Sequence, residues 1–519
     1  VEHLAMNGAR SLVRTLVDAG VEVCFANPGT SEMHFVSALD EIAGMRGVLG
    51  LFEGVVTGAA DGYARMTDRP AATLLHCGPG LANGLANLHN ASRAGVPIVN
   101  VVGDHAIYHK RLDAPLETDI DALAGTVSGW VRRSYRPQDV GADAADAVAA
   151  AQGPPGQIAT LILPANVSWE DGGVPGSVRT PRPAARVPDA QVAAAAAALT
   201  SGEPAVLMLG GMAQRERGLR AASRIAVATG AQVSTQTHPA RLQRGVGLPA
   251  FDRLPYFVED AVAHLADNRH MILAGTAAPV AFFAYPDLPG SPTPQNCAVH
   301  ELGAPGQDIV EALEHLADRV APDTAPLLQA PTTPGPRAGA LTTGAIAELV
   351  AAHLPEDAIV VDEAITAGVA LAAASVGAPR HDWLCVTGGA IGYGLPTAVG
   401  AAVACPGRPV INLQADGSAL YTIQALWTQA RENLDVTTVL LNNHSYAILE
   451  VEMNRVLARS PGDKSRDLLS LTDPDIDFVK IANGLGVAAT RATTAEELAG
   501  ALRFATAEPG PHLIEAAYS

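Results

Sequence analysis

Aromatic residues are scarce in this chain of 519 residues, at 4%. With 50 glycines and long alanine-rich segments, that shortage favours close helix–sheet packing over a bulky aromatic core. Cysteines are also few. Cys24, Cys77, Cys297, Cys385 and Cys405 are scattered without metal-site spacing and read as reduced, mostly buried thiols. Basic blocks are missing and the net charge is −19. Both facts argue against nucleic acid or an anionic membrane as a partner. No apolar run is long enough to span a bilayer. The alanine tract at 193–198 is helix-former sequence instead. The first residues read as an amphipathic helix and not as a signal peptide, so a cytoplasmic location is the expectation.

What is present is a repeated alternation of helix and strand patterns. At ~150 residues per domain the length suggests about three domains. A helix is predicted over 9–19, a strand over 21–25, a turn at Asn27-Pro28-Gly29-Thr30 and a helix over 32–39. A short strand over 48–53 ends in Glu53, and a small-residue helix covers 54–64. A strand over 71–76 ends in His76, a loop spans 77–80, a helix covers 81–91, and a buried strand follows at 97–102. This pattern predicts an α/β fold with doubly wound, mostly parallel sheets. A proline- and arginine-rich linker at 178–183 and a proline-rich one at 325–339 divide the chain into domains 1–177, 185–325 and 340–519.

The stretch from Ala415 to Ser445 carries the strongest chemical signal. A strand at 410–413 runs into Ala415-Asp416-Gly417-Ser418. One helix then places Ile423, Leu426, Trp427 and Ala430 at helical spacing. A buried strand at 436–441 ends in Asn442-Asn443-His444-Ser445. Two loops at one edge of a parallel sheet would present Asp416 and Asn443 together, where open α/β sheets gather ligands. Both offer hard oxygen atoms, suited to Mg²⁺ or Ca²⁺ that shares its shell with a phosphate. Gly417 lets backbone N–H groups approach that phosphate.

The stretch resembles the GDG-to-NN signature of thiamine-diphosphate enzymes, with Ala415 in place of the first Gly. Over essentially the whole chain the resemblance is to the pyruvate decarboxylase/acetolactate synthase superfamily. Within it, benzoylformate decarboxylase-like and acetolactate synthase large-subunit-like proteins are the most similar in pattern. The resemblance implies thiamine diphosphate as cofactor, with Mg²⁺ (or Ca²⁺) held by Asp416, Asn443 and the Ser445 carbonyl. It implies pyrimidine-binding, middle and diphosphate-binding domains in that order. It also implies a homodimer or homotetramer with active sites between subunits.

The same resemblance makes Glu53, ahead of Ala60-Asp61-Gly62-Tyr63-Ala64-Arg65, the catalytic carboxyl set against the aminopyrimidine ring. The bland alternative is a salt bridge from Glu53 to Arg65. His76 corresponds to a proton-transfer histidine of benzoylformate decarboxylases, a task that suits imidazole near neutral pH. Acetolactate synthases generally lack it. Thr30 corresponds to a serine that contacts the substrate carboxylate; a helix N-cap is its structural alternative. Ile391, in the loop at 386–392, is implied as the side chain that bends the cofactor. Thr366, Thr387, Gly389, Gly417, Ser418, Ser445 and Tyr446 are further implied cofactor contacts. Ile448 and Glu452 join Thr30 and His76 around the substrate pocket, although Glu450 and Glu452 also fit a solvated helix face. His105 and His109 have the spacing of one helical face and suggest a surface role.

Two departures stand out. The middle-domain histidine of those decarboxylases is absent from Ala278-Pro279-Val280-Ala281-Phe282-Phe283-Ala284, where Ala284 takes its place. The segment at 244–249 matches the FAD loop of acetolactate synthases poorly, so FAD is not expected. The implied function is thiamine-diphosphate-dependent decarboxylation of a 2-oxo acid through an enamine, with carboligation to a second carbonyl left open. Acetolactate synthase-like condensation and a non-catalytic, cofactor-binding regulatory paralogue are the alternatives.

Overall fold

Runs of small and β-branched residues, buried on both faces, build the first sheet. The computed structural model describes residues 6–335, 337–457 and 462–518. Strands β1 (Val23–Asn27), β2 (Arg46–Leu49), β3 (Ala71–Leu75), β4 (Ile98–Asp104), β5 (Trp130–Arg133) and β6 (Ile158–Pro164) are all parallel, in the order β2-β1-β3-β4-β6-β5. Leu74, Leu75, Val99, Val101 and Leu161 are fully buried in it.

The central part of the chain contributes β7 (Ala205–Leu209), β8 (Gln232–Thr235), β9 (Leu242–Arg244), β10 (Asp252–Arg253), β11 (His270–Ala274) and β12 (Ala298–Gly303). Five of these form a parallel sheet in the order β10-β8-β7-β11-β12. β9 leaves it and pairs antiparallel with a strand of the third sheet. That sheet adds β13 (Ala358–Glu363), β14 (His381–Cys385), β15 (Val410–Ala415), β16 (Val436–Asn442), β17 (Ala488–Ala492) and β18 (His512–Ala517), in the order β17-β18-β16-β15-β13-β14-β9. Among the described residues, no helix is long and apolar enough to cross a membrane.

The first and third sheets are joined by two crossing helices, Glu53–Thr67 and Gly394–Ala404. Small residues let their backbones meet. A Cβ added at Gly400 would lie 1.8 Å from the Ala59 carbonyl oxygen, and one at Gly62 would lie 2.2 Å from that of Thr397. Beside the crossing, the fully buried Arg65 pairs with Asp61 at 2.7 Å.

Several expected boundaries move. Glu53 is not the end of a strand: β2 stops at Leu49, and Glu53 opens the following helix, where a carboxylate suits the positive end of the helix dipole. Residues 77–80 are not a loop but the first turn of the helix Cys77–Ala94. The helix expected after Asp416 is two, Asp416–Thr422 and Ala425–Arg431; at the break the Thr422 hydroxyl donates to the Gly392 carbonyl at 3.0 Å. His105 and His109 do not share a helix. They lie in the connection from β4 to the short turn Lys110–Leu112, with ring centroids 5.6 Å apart.

Candidate active site

β15 and β16 are parallel neighbours, with Ala415 level with Leu441, so the loops after them open side by side. Asp416, 3% exposed, ties the two together. Its Oδ1 accepts from the Gly417 N–H at 2.7 Å, and its Oδ2 accepts from the N–H groups of Asn443 at 3.1 Å and His444 at 2.8 Å. Asn443 Oδ1 accepts from the Ser445 N–H at 3.1 Å. Burial raises the Asp416 carboxyl above the ordinary carboxylate range, against the pull of those N–H groups. Among the described residues its partners are backbone N–H groups, with no lysine or arginine against it. A buried carboxylate held by backbone N–H groups, beside an amide oxygen, is a donor set that fits a hard divalent ion.

Gly417 serves a contact that the sequence does not reveal. A Cβ there would lie 2.4 Å from Cε1 of Tyr446, so the ring packs directly on the glycine. The Ser418 hydroxyl donates to the Ala415 carbonyl at 3.1 Å and accepts from Gln414 Nε2 at 2.7 Å, so it is engaged within the chain. Ser445 Oγ lies 3.0 Å from Glu450 Oε1. Thr366 is exposed in the turn Ile365–Ala367 that follows β13.

The loop after β14 is held by Glu363, which the sequence reading did not single out. Its buried carboxylate accepts from the N–H groups of Gly392, Tyr393 and Gly394 at 2.8, 3.1 and 2.7 Å, and from Gln414 Nε2 at 2.8 Å. Gly389 and Gly392 have φ of 75° and 89°, and the half-buried Ile391 lies between them. Thr387 donates to the Asn90 carbonyl at 2.6 Å and accepts from Arg65 at 3.0 Å.

Glu53 is 7% exposed, and its Oε2 accepts from Asn83 Nδ2 at 3.0 Å. The alternative pairing with Arg65 does not form, because Arg65 is taken by Asp61. Gly80 sits between Glu53 and His76: a Cβ there would lie 3.1 Å from Glu53 Oε1 and 3.4 Å from the His76 Cβ. His76 Nδ1 is 2.8 Å from Glu32 Oε2 and 3.2 Å from Ser31 Oγ. Thr30 is exposed; the hydroxyl brought to His76 belongs to Ser31.

Glu452 is not a solvated charge. Tyr285 donates to it at 2.9 Å, and Arg455 binds both its oxygens at 3.0 and 2.9 Å while also holding Glu259 at 2.6 Å. Arg455 lies over the rings of Phe257 and Tyr285. These contacts tie the helix Ala447–Leu457, which carries the half-buried Ile448, to the central segment. Phe282 packs on Gly389, where an added Cβ would lie 2.6 Å from its ring, and on His238 and Tyr256 at centroid distances of 6.1 and 5.2 Å. Burial lowers the His238 pKa to about 4, helped by Arg253 and opposed by Asp362. An imidazole therefore reaches this cluster from the connection between β8 and β9, although Ala284 has none to offer.

The N-terminal TPP-binding domain model of thiamine pyrophosphate enzymes matches residues 6–124, and the C-terminal one matches residues 366–516. The IlvX protein of Mycobacterium tuberculosis, provisionally named an acetolactate synthase large subunit, is 60% identical over 98% of both chains. The chain belongs to the thiamine pyrophosphate enzyme family. The benzoylformate decarboxylase of Pseudomonas aeruginosa is 30% identical over 96% of both chains. The solved 4-hydroxybenzoylformate decarboxylase of Rhodococcus jostii superposes with a TM-score of 0.86 at 27% identity, covering 99% of each chain. Within this thiamine pyrophosphate enzyme, the first matched region holds Glu53 and His76, and the second runs from Thr366 past Asp416, Asn443 and Glu452.

Proposed function

We propose that this thiamine pyrophosphate enzyme decarboxylates a 2-oxo acid and passes the resulting acyl unit to a proton or to a second carbonyl. The observation that carries this reading is the placement of Glu53 and His76 on either side of Gly80. The printed names of the two benzoylformate-type relatives support the 2-oxo acid class. Thiamine diphosphate, when bound, supplies the nucleophilic carbon and the electron sink.

Asp416, Asn443 and the Ser445 carbonyl would hold Mg²⁺ against the diphosphate. The loop at 387–392, braced by Glu363, would receive the rest of the cofactor, with Ile391 beneath it. Glu53 would offer its carboxyl as the proton-exchanging group for the aminopyrimidine ring, and Asn83 holds one carboxyl oxygen in place. His76 moves protons to and from the reacting substrate. Phe282 and the Arg455-paired Glu452 would shape the far side of the pocket and help to exclude water. In this proposal a second copy of the chain completes each site, in a homodimer or homotetramer.

Acetolactate synthase-like condensation is the second reading, favoured by the name of the M. tuberculosis relative. Carbon dioxide release from a panel of 2-oxo acids, comparing wild type with Glu53→Gln, tests the proposal. Turnover by wild type alone supports it, and no turnover by either protein supports a non-catalytic paralogue. Product analysis with pyruvate separates acetolactate from acetaldehyde.

A further inference from the structure

The surroundings of His76 hold more than a proton-transfer group. Glu32 is 2% exposed and engaged on every side. Its Oε2 accepts from the Gly29 N–H at 2.8 Å and faces His76 Nδ1 at 2.8 Å. Its Oε1 accepts from the Ser31 hydroxyl at 2.7 Å. β4 closes in behind: a Cβ at Gly103 would lie 1.6 Å from Oε1, so only glycine leaves room for this carboxylate. Gly29 presses on the imidazole in the same way, since a Cβ there would lie 2.3 Å from its Cγ. Carboxylate and ring are both held by backbone.

We propose that Glu32 is the positioning residue for His76: it keeps the ring proton on Nδ1 and presents Nε2 as the nitrogen that exchanges protons. An ionised carboxylate only accepts hydrogen bonds, so the hydrogen between Glu32 and Nδ1 belongs to the ring. Ser31 spends its own hydrogen on Glu32 and cannot reverse that polarity. Among the described residues, the hydrogen bonds of the ring run through Nδ1, while 24% of the side chain stays exposed. The second nitrogen is thereby left for solvent or substrate.

Glu32, His76 and Cys77 also bring ligand atoms within 4.8 Å of one another, as a metal site would. In the structure these atoms are engaged in hydrogen bonds, with Ser31 Oγ 3.3 Å from the Cys77 sulfur. The trio acts as a hydrogen-bonded brace.

The catalytic use of Nε2 rests on the proposed proton transfer by His76; the tautomer does not. The test is long-range ¹H–¹⁵N NMR of the full chain with ¹⁵N-labelled histidine, thiamine diphosphate and Mg²⁺ present. The His76 signal is identified by its loss in His76→Gln. Under conditions where the ring is neutral, wild type shows the Nδ1-protonated tautomer. Glu32→Gln, whose amide can donate as well as accept, shows a mixture, and Glu32→Asp, which keeps the charge, restores the wild-type form in part. With benzoylformate as the probe substrate, Glu32→Gln lowers kcat by at least about tenfold while KM changes little. An Nε2-protonated ring in wild type, or an unchanged tautomer in Glu32→Gln, overturns the proposal whether or not benzoylformate is turned over. If His76→Gln turns over benzoylformate at the wild-type rate, the role of Nε2 in the reaction falls, and the tautomer result still stands on its own.

Discussion

Replacing Arg65 with methionine is the most severe test of how this molecule holds its candidate site together. Arg65 and Asp61 have no side-chain exposure, and two hydrogen bonds of 2.8 and 2.7 Å join them. The guanidinium also donates to the carbonyls of Cys385 at 2.6 Å and Ala240 at 3.0 Å and to the Thr387 hydroxyl at 3.0 Å, and it lies over the Tyr393 ring. Methionine fills similar space but leaves Asp61 as a buried charge without a partner, which costs about 3–5 kcal/mol. Burial already raises the Asp61 carboxyl, against the lowering by Arg65. Without Arg65, only the raising remains. A carboxyl raised in the fold weakens stability as pH climbs past its unfolded pKa, so the deficit is largest near neutrality and shrinks on acidification.

Urea unfolding at neutral and mildly acidic pH reads both effects. The double variant Asp61→Asn/Arg65→Met recovers much of the loss, because no uncompensated charge stays buried. It does not recover full cofactor affinity, since Thr387 and the loop after it lose an anchor. A single variant within about 1 kcal/mol of wild type, or a double variant no better than the single one, refutes this reasoning.

Four further outcomes are expected. Asp416→Asn removes the charge from the cradle and weakens Mg²⁺-dependent binding of thiamine diphosphate by at least about tenfold, read by fluorescence quenching. Glu363→Gln replaces an acceptor-only group that serves three backbone N–H donors; it weakens cofactor binding through the loop at 387–392, measured the same way. Gly400→Ala forces a Cβ into the Ala59 carbonyl and costs about 1–3 kcal/mol, whereas Gly344→Ala, in an open helix position, raises the melting temperature slightly. His381 is 2% exposed and donates from Nδ1 to the Pro379 carbonyl, and burial lowers its pKa from 6.5 to about 3. The unfolded chain takes up that proton first, so stability falls as pH drops below about 6.5; melting curves of His381→Gln across that window show a shallower decline.

The alternation of strands and helices, and the adjacency of the loops that carry Asp416 and Asn443, were legible in the chain itself. Both rest on local order: apolar runs of strand length, glycine turns, and the run of residues from Asp416 to Ser445. The strands at 71–75, 410–415 and 436–442 fall where the pattern places them. Short strands such as β5 and β9 carry too few residues to show a period, and the pairing of β9 with β14 joins positions far apart in sequence.

The choice between Ser31 and Thr30 depended on which hydroxyl the turn after β1 brings to His76, and no periodicity records that. The partners of Glu452 and Glu363 were equally hidden. Tyr285 lies 167 residues from Glu452, and the backbone N–H groups that hold Glu363 come from another loop. Residue types and their spacing thus determined that Asp416 and Asn443 share a sheet edge and that His76 follows a strand. Packing alone decided which charges are paired and which nitrogen of His76 is left open, because hydrogen bonds between distant segments form only once the sheets have brought them within reach.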